Sequence, residues 1–293
     1  MRIQKSFKGA SPFGVLYLVP TPIGNLEDIT YRAVRLLSEV DFVASEDTRN
    51  TGKLLNHFEI KKQQIILHEH NFKEKVPEIV SLLKEGKNIA QVSDAGMPSI
   101  SDPGHELVLA CIEEEIRVVS IPGPTAGLTA LIASGLDAKE FTFYGFLPRK
   151  KGQLLAWFEE HLSDSETQIF YESPHRVKTL FEAATEVYGA ERRGVLCREL
   201  TKIYEEYTRG TLAELADYLA ENEIKGECCV LIEGAQEQTV DLDLNDDEIT
   251  AAVEKYIQSG MKPNAAIKEV AKQLGKSKQE VYAVFHGLDL PSV

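Results

Sequence analysis

Five short apolar runs punctuate the first half of the chain: VLYLV (15–19), DFVAS (41–45), QIIL (64–67), NIAQV (88–92) and RVVSI (117–121). Between them the apolar spacing turns helical, near 29–39, 50–57, 77–85, 104–114 and 125–133. Runs that are apolar throughout suit strands covered on both faces. The pattern therefore predicts an α/β fold built on a mostly parallel sheet. A second series starts after FYGFLPRKKGQ (143–153), with a helix near 153–162, a strand TQIFYE (167–172) and a helix at 175–187. It continues through GVLCRE (194–199), a strand-like IYEEYTRG (203–210), a helix at 211–221 and ECCVLIE (227–233).

Pro148 and the basic residues Arg149, Lys150 and Lys151 predict a linker between two α/β halves, and the acidic stretch 236–247 predicts a second linker. The expected domains are an N-terminal α/β domain (1–140), a second α/β domain (141–235), and an acidic linker with a helical tail (236–293). In the tail, Ala265, Ile267, Val270, Ala271 and Leu274 make a helical stripe that Gly275 breaks. Ser277 can cap a second helix bearing Val281, Val284 and Phe285. That is a helix-turn-helix pattern, or else a small dimerisation or docking bundle.

Composition narrows the class. At 293 residues the chain is long for one domain. No apolar run approaches the roughly 20 residues of a membrane helix, so no membrane partner is expected. The opening MRIQKSFKGASPF is basic but lacks the apolar centre of a signal peptide. Cys111, Cys197, Cys228 and Cys229 show neither CxxC spacing nor a His at metal-ligand spacing. These features predict a reduced, cytoplasmic protein with no metal. Net charge is −14, yet residues 260–279 carry five lysines (262, 268, 272, 276, 278) against one acid, Glu269. Binding follows the local patch, so Lys262, Lys268, Lys272, Lys276 and Lys278 are candidates for nucleic-acid phosphates.

In open α/β sheets ligands bind beyond the carboxyl ends of the strands. The loops there are PTPIGN (20–25), SEDTRN (45–50), HEHN (68–71), SDAGMPSISDPG (93–104) and PGPTAG (122–127). None is a dinucleotide or P-loop fingerprint. In PGPTAG two prolines fix the backbone, Gly123 permits close approach, and Thr125 can cap the helix that follows. Such loops grip through backbone groups and suit a small organic cofactor. Asp94 can contact that cofactor or merely close its own turn. His68 and His70 share a face without further metal-ligand residues. Glu172 can pair with Arg176.

Together VPTPIGNLEDIT, ASEDTRNTGKLL, VSDAGMPSISDPG, IPGPTAGLTAL, FYGFLPRKKG, FYESPHRV and CRELTKIYEE resemble the tetrapyrrole-methylase superfamily, and within it the ribosomal RNA branch. The blocks run in order over roughly residues 14 to 286. The resemblance implies a tetrapyrrole-methylase-like pair of α/β domains with S-adenosylmethionine in the cleft between them, and a homodimer. It implies 2′-O-methylation of a cytidine in small-subunit ribosomal RNA, with that RNA or the small ribosomal subunit as partner. Carried over, Ser93, Asp94, Ala95, Gly96 and Met97 line the cofactor, with Ile100 nearby. Pro122, Gly123, Thr125 and Ala126 hold its other side, Pro22 approaches from the first loop, and Tyr171 and Glu172 close over it. Tetrapyrrole members open with GxGPGD, whereas PTPIGN lacks the Asp, which favours the RNA branch over a tetrapyrrole substrate. Arg149, Lys150 and Lys151 are either a solvated linker or a phosphate clamp, and the match of FLPRKKG to the family favours the clamp.

Asp47, Arg49, Arg149, His175, Arg198, Glu199 and Lys202 fall near the predicted cleft edges. Glu172 and Glu199 are the candidate proton acceptors; Arg49, Arg149, Arg198 and Lys202 are candidates for orienting phosphate. Two rivals stand beside this reading. One is a tetrapyrrole or protein side-chain methyltransferase of the same fold. The other is a non-catalytic nucleic-acid-binding regulator with S-adenosylmethionine as effector.

Overall fold

The computed structural model describes residues 1, 3–6, 12–101, 104–236 and 244–288, apart from the Lys272 side chain. Residues 1–234 form one compact unit and 235–293 a second.

The first unit opens with β1 (Val15–Leu18), α1 (Tyr31–Glu39), β2 (Phe42–Ser45), α2 (Thr48–His57) and β3 (Gln63–Ile66). It continues through α3 (Phe72–Lys84), β4 (Ile89–Val92), α4 (His105–Glu113), β5 (Arg117–Ser120) and α5 (Ala126–Ser134). The five strands are all parallel in the order β3-β2-β4-β1-β5. Alternate residues feed two separate cores. Leu16, Ala44 and Ile89 pack into one cluster, while Val19, Val43 and Ala90 pack into the other. Two covered faces explain why these runs are apolar without alternation. Pro77, expected to start α3, lies inside it. A proline has no N–H to give to the Lys73 carbonyl, and both residues are exposed.

The second sheet comprises β6 (Phe141–Phe146), β7 (Thr167–Glu172), β8 (Arg193–Arg198), β9 (Glu206–Thr211) and β10 (Cys228–Ile232) in the order β6-β7-β10-β8-β9. β6 and β7 are parallel, and the other pairs antiparallel. α6 (Lys151–Glu160), α7 (Val177–Tyr188) and α8 (Leu212–Glu221) cover one face, around Phe158, Phe170, Phe181 and Val230. The other face meets α5 and the β1 loop, through Ile169, Val195, Cys197 and Leu231 against Ile23, Ala130 and Leu131. This last cluster joins the halves and fixes the cleft between them.

Two linker expectations are corrected. Residues 148–150 connect β6 to α6 and Lys151 opens that helix, all inside the second layer, because β6 pairs with β7 in the same sheet. Residues 237–243 of the acidic stretch lie outside the described residues, but Asp246 and Asp247 open a helix, α9 (Asp246–Gln258). Asn245 and Glu248 cap it reciprocally, and the three acids of its first turn meet the positive end of the helix dipole.

Within the second unit α9 packs with α10 (Pro263–Gln273) and α11 (Lys278–His286) around Ile249, Val253, Ile267, Val270, Leu274 and Val281. The tail is thus three helices rather than two. Ala266, not Ala265, faces the core. Ser277 caps α11 as expected, in a capping box with Glu280.

Candidate active site

β1 lies between β4 and β5 although both follow it by over seventy residues, so the carboxyl end of this sheet carries a switch in strand order. Such a switch opens a crevice between the loops. Here the loops are strapped together. Thr21 and Gly96 exchange backbone hydrogen bonds at 2.9 and 3.0 Å, and the Thr21 hydroxyl donates to the Ser93 carbonyl at 3.1 Å. The buried Ser93 hydroxyl donates to the Ala95 and Gly96 carbonyls. Gly96 sits at φ +78°, where a side chain would be strained. The polar loop after β4 is therefore a fixed shelf.

Above that shelf lies a cavity of about 420 Å³ with mostly apolar walls. Ala95, Gly96, Met97 and Ile100 form one side, Thr125 and Ala126 at the start of α5 another, and Tyr171 and Glu172 at the end of β7 a third. The Tyr171 hydroxyl accepts from the Gly127 N–H at 3.1 Å, tying β7 to the first turn of α5. Thr125 occupies the N-cap position without making a side-chain cap bond. Glu172 is 4% exposed. Its Oε1 accepts from the Ser173 N–H at 2.8 Å and faces Arg176 at 3.3 Å, while Oε2 is buried without a partner. A buried carboxylate oxygen left unpaired costs more than it returns unless a ligand donates to it.

Other expected residues sit elsewhere. Pro22, Ser93 and Asp94 line a smaller adjoining cavity of about 190 Å³. The Asp94 carboxylate accepts from the Asp47 N–H at 3.3 Å and from Asn50 Nδ2 at 2.9 Å, so it ties two loops together instead of closing its own turn. Pro122 and Gly123 line neither cavity. A Cβ on Gly123 would stand 2.6 Å from the Pro20 Cβ, so the close approach that glycine permits there is to Pro20.

Of the candidate catalytic residues only Glu172 lines the larger cavity. Glu199 accepts from Lys202 Nζ at 2.8 Å and from the Glu227 N–H at 2.9 Å. The Lys202 contact holds its carboxyl below the usual range, which makes it a weak proton acceptor. Lys202 also bonds Glu227 and packs against Gly24 of the first loop. Arg198 is occupied by Glu206 at 2.5 Å. Arg49 is exposed and paired with Asp47 at 2.7 Å, and that pairing lowers the Asp47 carboxyl to about 2. Arg149 and Lys150 are exposed, as is His175, while Lys151 lies 3.7 Å from Glu186. Lys262, Lys268, Lys276 and Lys278 are exposed; the Lys272 side chain lies outside the described residues.

Sequence reasoning missed Phe146, Leu200, Gly226, Cys228 and Cys229, which complete the cavity wall. The two cysteines arrive through strand pairing: β10 lies against β7 with Cys228 opposite Glu172 and Cys229 opposite Tyr171. No local pattern announces that register. Burial pushes the Cys228 thiol up to about 11 and Cys229 well above its ordinary value, so neither is a ready nucleophile. Among the described residues no cluster of three or more His, Cys, Asp or Glu is placed to hold a metal, and no helix is long and apolar enough to cross a membrane.

The sequence profile of the Tetrapyrrole (Corrin/Porphyrin) Methylases matches residues 15–216, which hold both sheets except β10. The chain belongs to the tetrapyrrole methylase family. Relatives within it are similar end to end. The Ribosomal RNA small subunit methyltransferase I of Streptococcus pyogenes serotype M3 is 55% identical, over 98% of this chain and 100% of its own. The protein of the same name from Halalkalibacterium halodurans is 47% identical, over 98% and 99%. Among solved structures, diphthine synthase superposes with a TM-score of 0.60 at 14% identity, over 75% of this chain and 90% of its own. That likeness shows the tetrapyrrole methylase fold and nothing finer.

Proposed function

We propose that this chain transfers a methyl group from S-adenosylmethionine to the 2′-oxygen of a cytidine ribose in small-subunit ribosomal RNA. The observation that carries the reading is identity of 55% along essentially the whole of both chains to a relative named for that RNA. The larger cavity fits the cofactor. Its apolar walls suit adenine and the methionyl chain, and the unpaired Glu172 Oε2 suits an ammonium or ribose hydroxyl donor.

Bound there, S-adenosylmethionine supplies an electrophilic methyl on a sulfonium centre. Ala95, Gly96, Met97 and Ile100 hold it from the first half, and Tyr171 and Glu172 from the second. Pro22, Ser93, Asp94, Pro122 and Gly123 shape the loops. Thr125 and Ala126 begin the α5 wall. A ribose hydroxyl is a poor nucleophile, so alignment supplies most of the acceleration. Of the two proton acceptors expected from the sequence, Glu172 lines the cavity, while Glu199 and Lys202 brace its rim. Arg149, Lys150 and Lys151, with the tail lysines, meet RNA phosphates. Arg49 and Arg198 guide the backbone from the edges only by releasing their present partners.

The protein acts in the cytoplasm, consistent with four unbridged buried thiols, and as a homodimer, consistent with the exposed apolar side chains Leu109 on α4 and Ile132 on α5.

The test incubates the protein with labelled S-adenosylmethionine and unmodified small ribosomal subunits, then digests the RNA to nucleosides for mass spectrometry. Label is expected in 2′-O-methylcytidine. A methyl on a base, or label only in protein or a tetrapyrrole, would overturn the reading.

A further inference from the structure

Seating the cofactor in the larger cavity, as proposed above, leaves the smaller one without an occupant. Pro22 and Asp94 line it, and their chain neighbours Ile23 and Ala95 line the larger one, so the two loops form a shared wall. At about 190 Å³ it suits one planar ring. Pro22, Leu26 and Leu54 supply flat apolar contact, and Asp94, Thr51 and Lys53 supply polar edges.

Two of those polar groups have capacity to spare. Thr51 is 3% exposed and its hydroxyl has no partner, an unfavourable state unless something completes it. Asp94 is held rigidly by Asp47 and Asn50, but two donors fill only half of the lone-pair sites of a carboxylate. An ionised carboxylate accepts and never donates. Such a wall attracts the N4 amino group of cytosine and repels the O4 carbonyl of uracil.

Resting on the function proposed above, we infer that the smaller cavity receives the extruded pyrimidine of the target nucleotide, with Asp94 selecting cytosine over uracil and Thr51 bonding the ring's acceptor edge. Enzymes that act on a single nucleotide commonly take its base out of the stack into such a pocket. A base seated here leaves its ribose at the wall shared with the cofactor cavity.

The experiment compares small subunits carrying cytidine at the modified position with reconstituted subunits carrying uridine there. Wild-type protein is expected to prefer cytidine at least a hundredfold in kcat/KM. Asp94→Asn should lower that preference about tenfold or more while leaving S-adenosylmethionine affinity unchanged. Thr51→Val removes an unpaired buried hydroxyl at constant shape and so keeps the fold. It should reduce kcat/KM on cytidine subunits about fivefold or more, again without changing cofactor affinity. Wild-type protein that methylates both subunits equally, an Asp94→Asn variant with the wild-type preference, or an unchanged Thr51→Val variant would each overturn the inference. Absence of any 2′-O-methylcytidine with wild-type protein would instead sink the underlying reading.

Discussion

Glu172 brings one buried oxygen without a partner to the wall of the larger cavity. Its Oε1 is spoken for by Ser173 and Arg176, whereas Oε2 is buried and waits for a donor. Replacing it with Gln keeps the shape but exchanges a charged acceptor for a neutral amide. Hydrogen bonds to charged groups contribute about 1.5–3 kcal/mol, so Glu172→Gln is expected to weaken S-adenosylmethionine binding roughly ten- to hundredfold. Calorimetric titration measures it, and unchanged affinity would mean that no cofactor group reaches this oxygen. At this scale the sequence was readable in kind but not in direction. Asp94 stands out as an acid in the polar loop after β4, yet its partner Asn50 lies forty-four residues away on α2. Only the folded sheet decides which cavity it serves.

At the scale of elements, apolar runs declared most strands because burial on both faces leaves no polar alternation to confuse them. β6 escaped notice for the opposite reason. It is an edge strand whose Phe141 and Phe146 are exposed, and it runs straight into Pro148 and the basic turn, which read together as a linker. α9 was hidden by its own acids, which read as linker charge until Asn245 places them in a first helical turn. The register of β10 against β7, which brings two cysteines to the cavity, is a non-local choice with no trace in nearby residues. Capping was legible, and it can be measured. Ser277→Ala removes one side of the α11 capping box and should destabilise the tail by about 1 kcal/mol. Hydrogen exchange should quicken at α11 amides and stay unchanged in the two sheets, since residues 235–293 form their own unit. Equal acceleration in both units would refute that independence.

For the whole molecule, a net charge of −14 repels RNA, so attraction has to come from where charge is locally reversed. Lys262, Lys268, Lys276 and Lys278 are exposed on a unit that contributes no lining residue to the larger cavity. Each phosphate contact releases condensed counterions and adds roughly 0.7 to 0.9 to the slope of log affinity against log salt. Changing all four to Gln should flatten that slope by about two or more, if some three of them engage, and leave cofactor affinity alone. An unchanged slope in filter binding across a salt series would reduce the lysines to a solvated face. The order of strands carries a different kind of consequence. β1 is made first but has hydrogen-bonding neighbours only in β4 and β5, and the cavity wall is finished only by β10. While the ribosome is still translating the chain, its earliest strand must wait unpaired for more than seventy residues, in need of shelter from other nascent chains. A polypeptide released anywhere before β10 lacks part of the cavity, so on the proposed reading cofactor capture is reserved for chains whose second sheet has been completed.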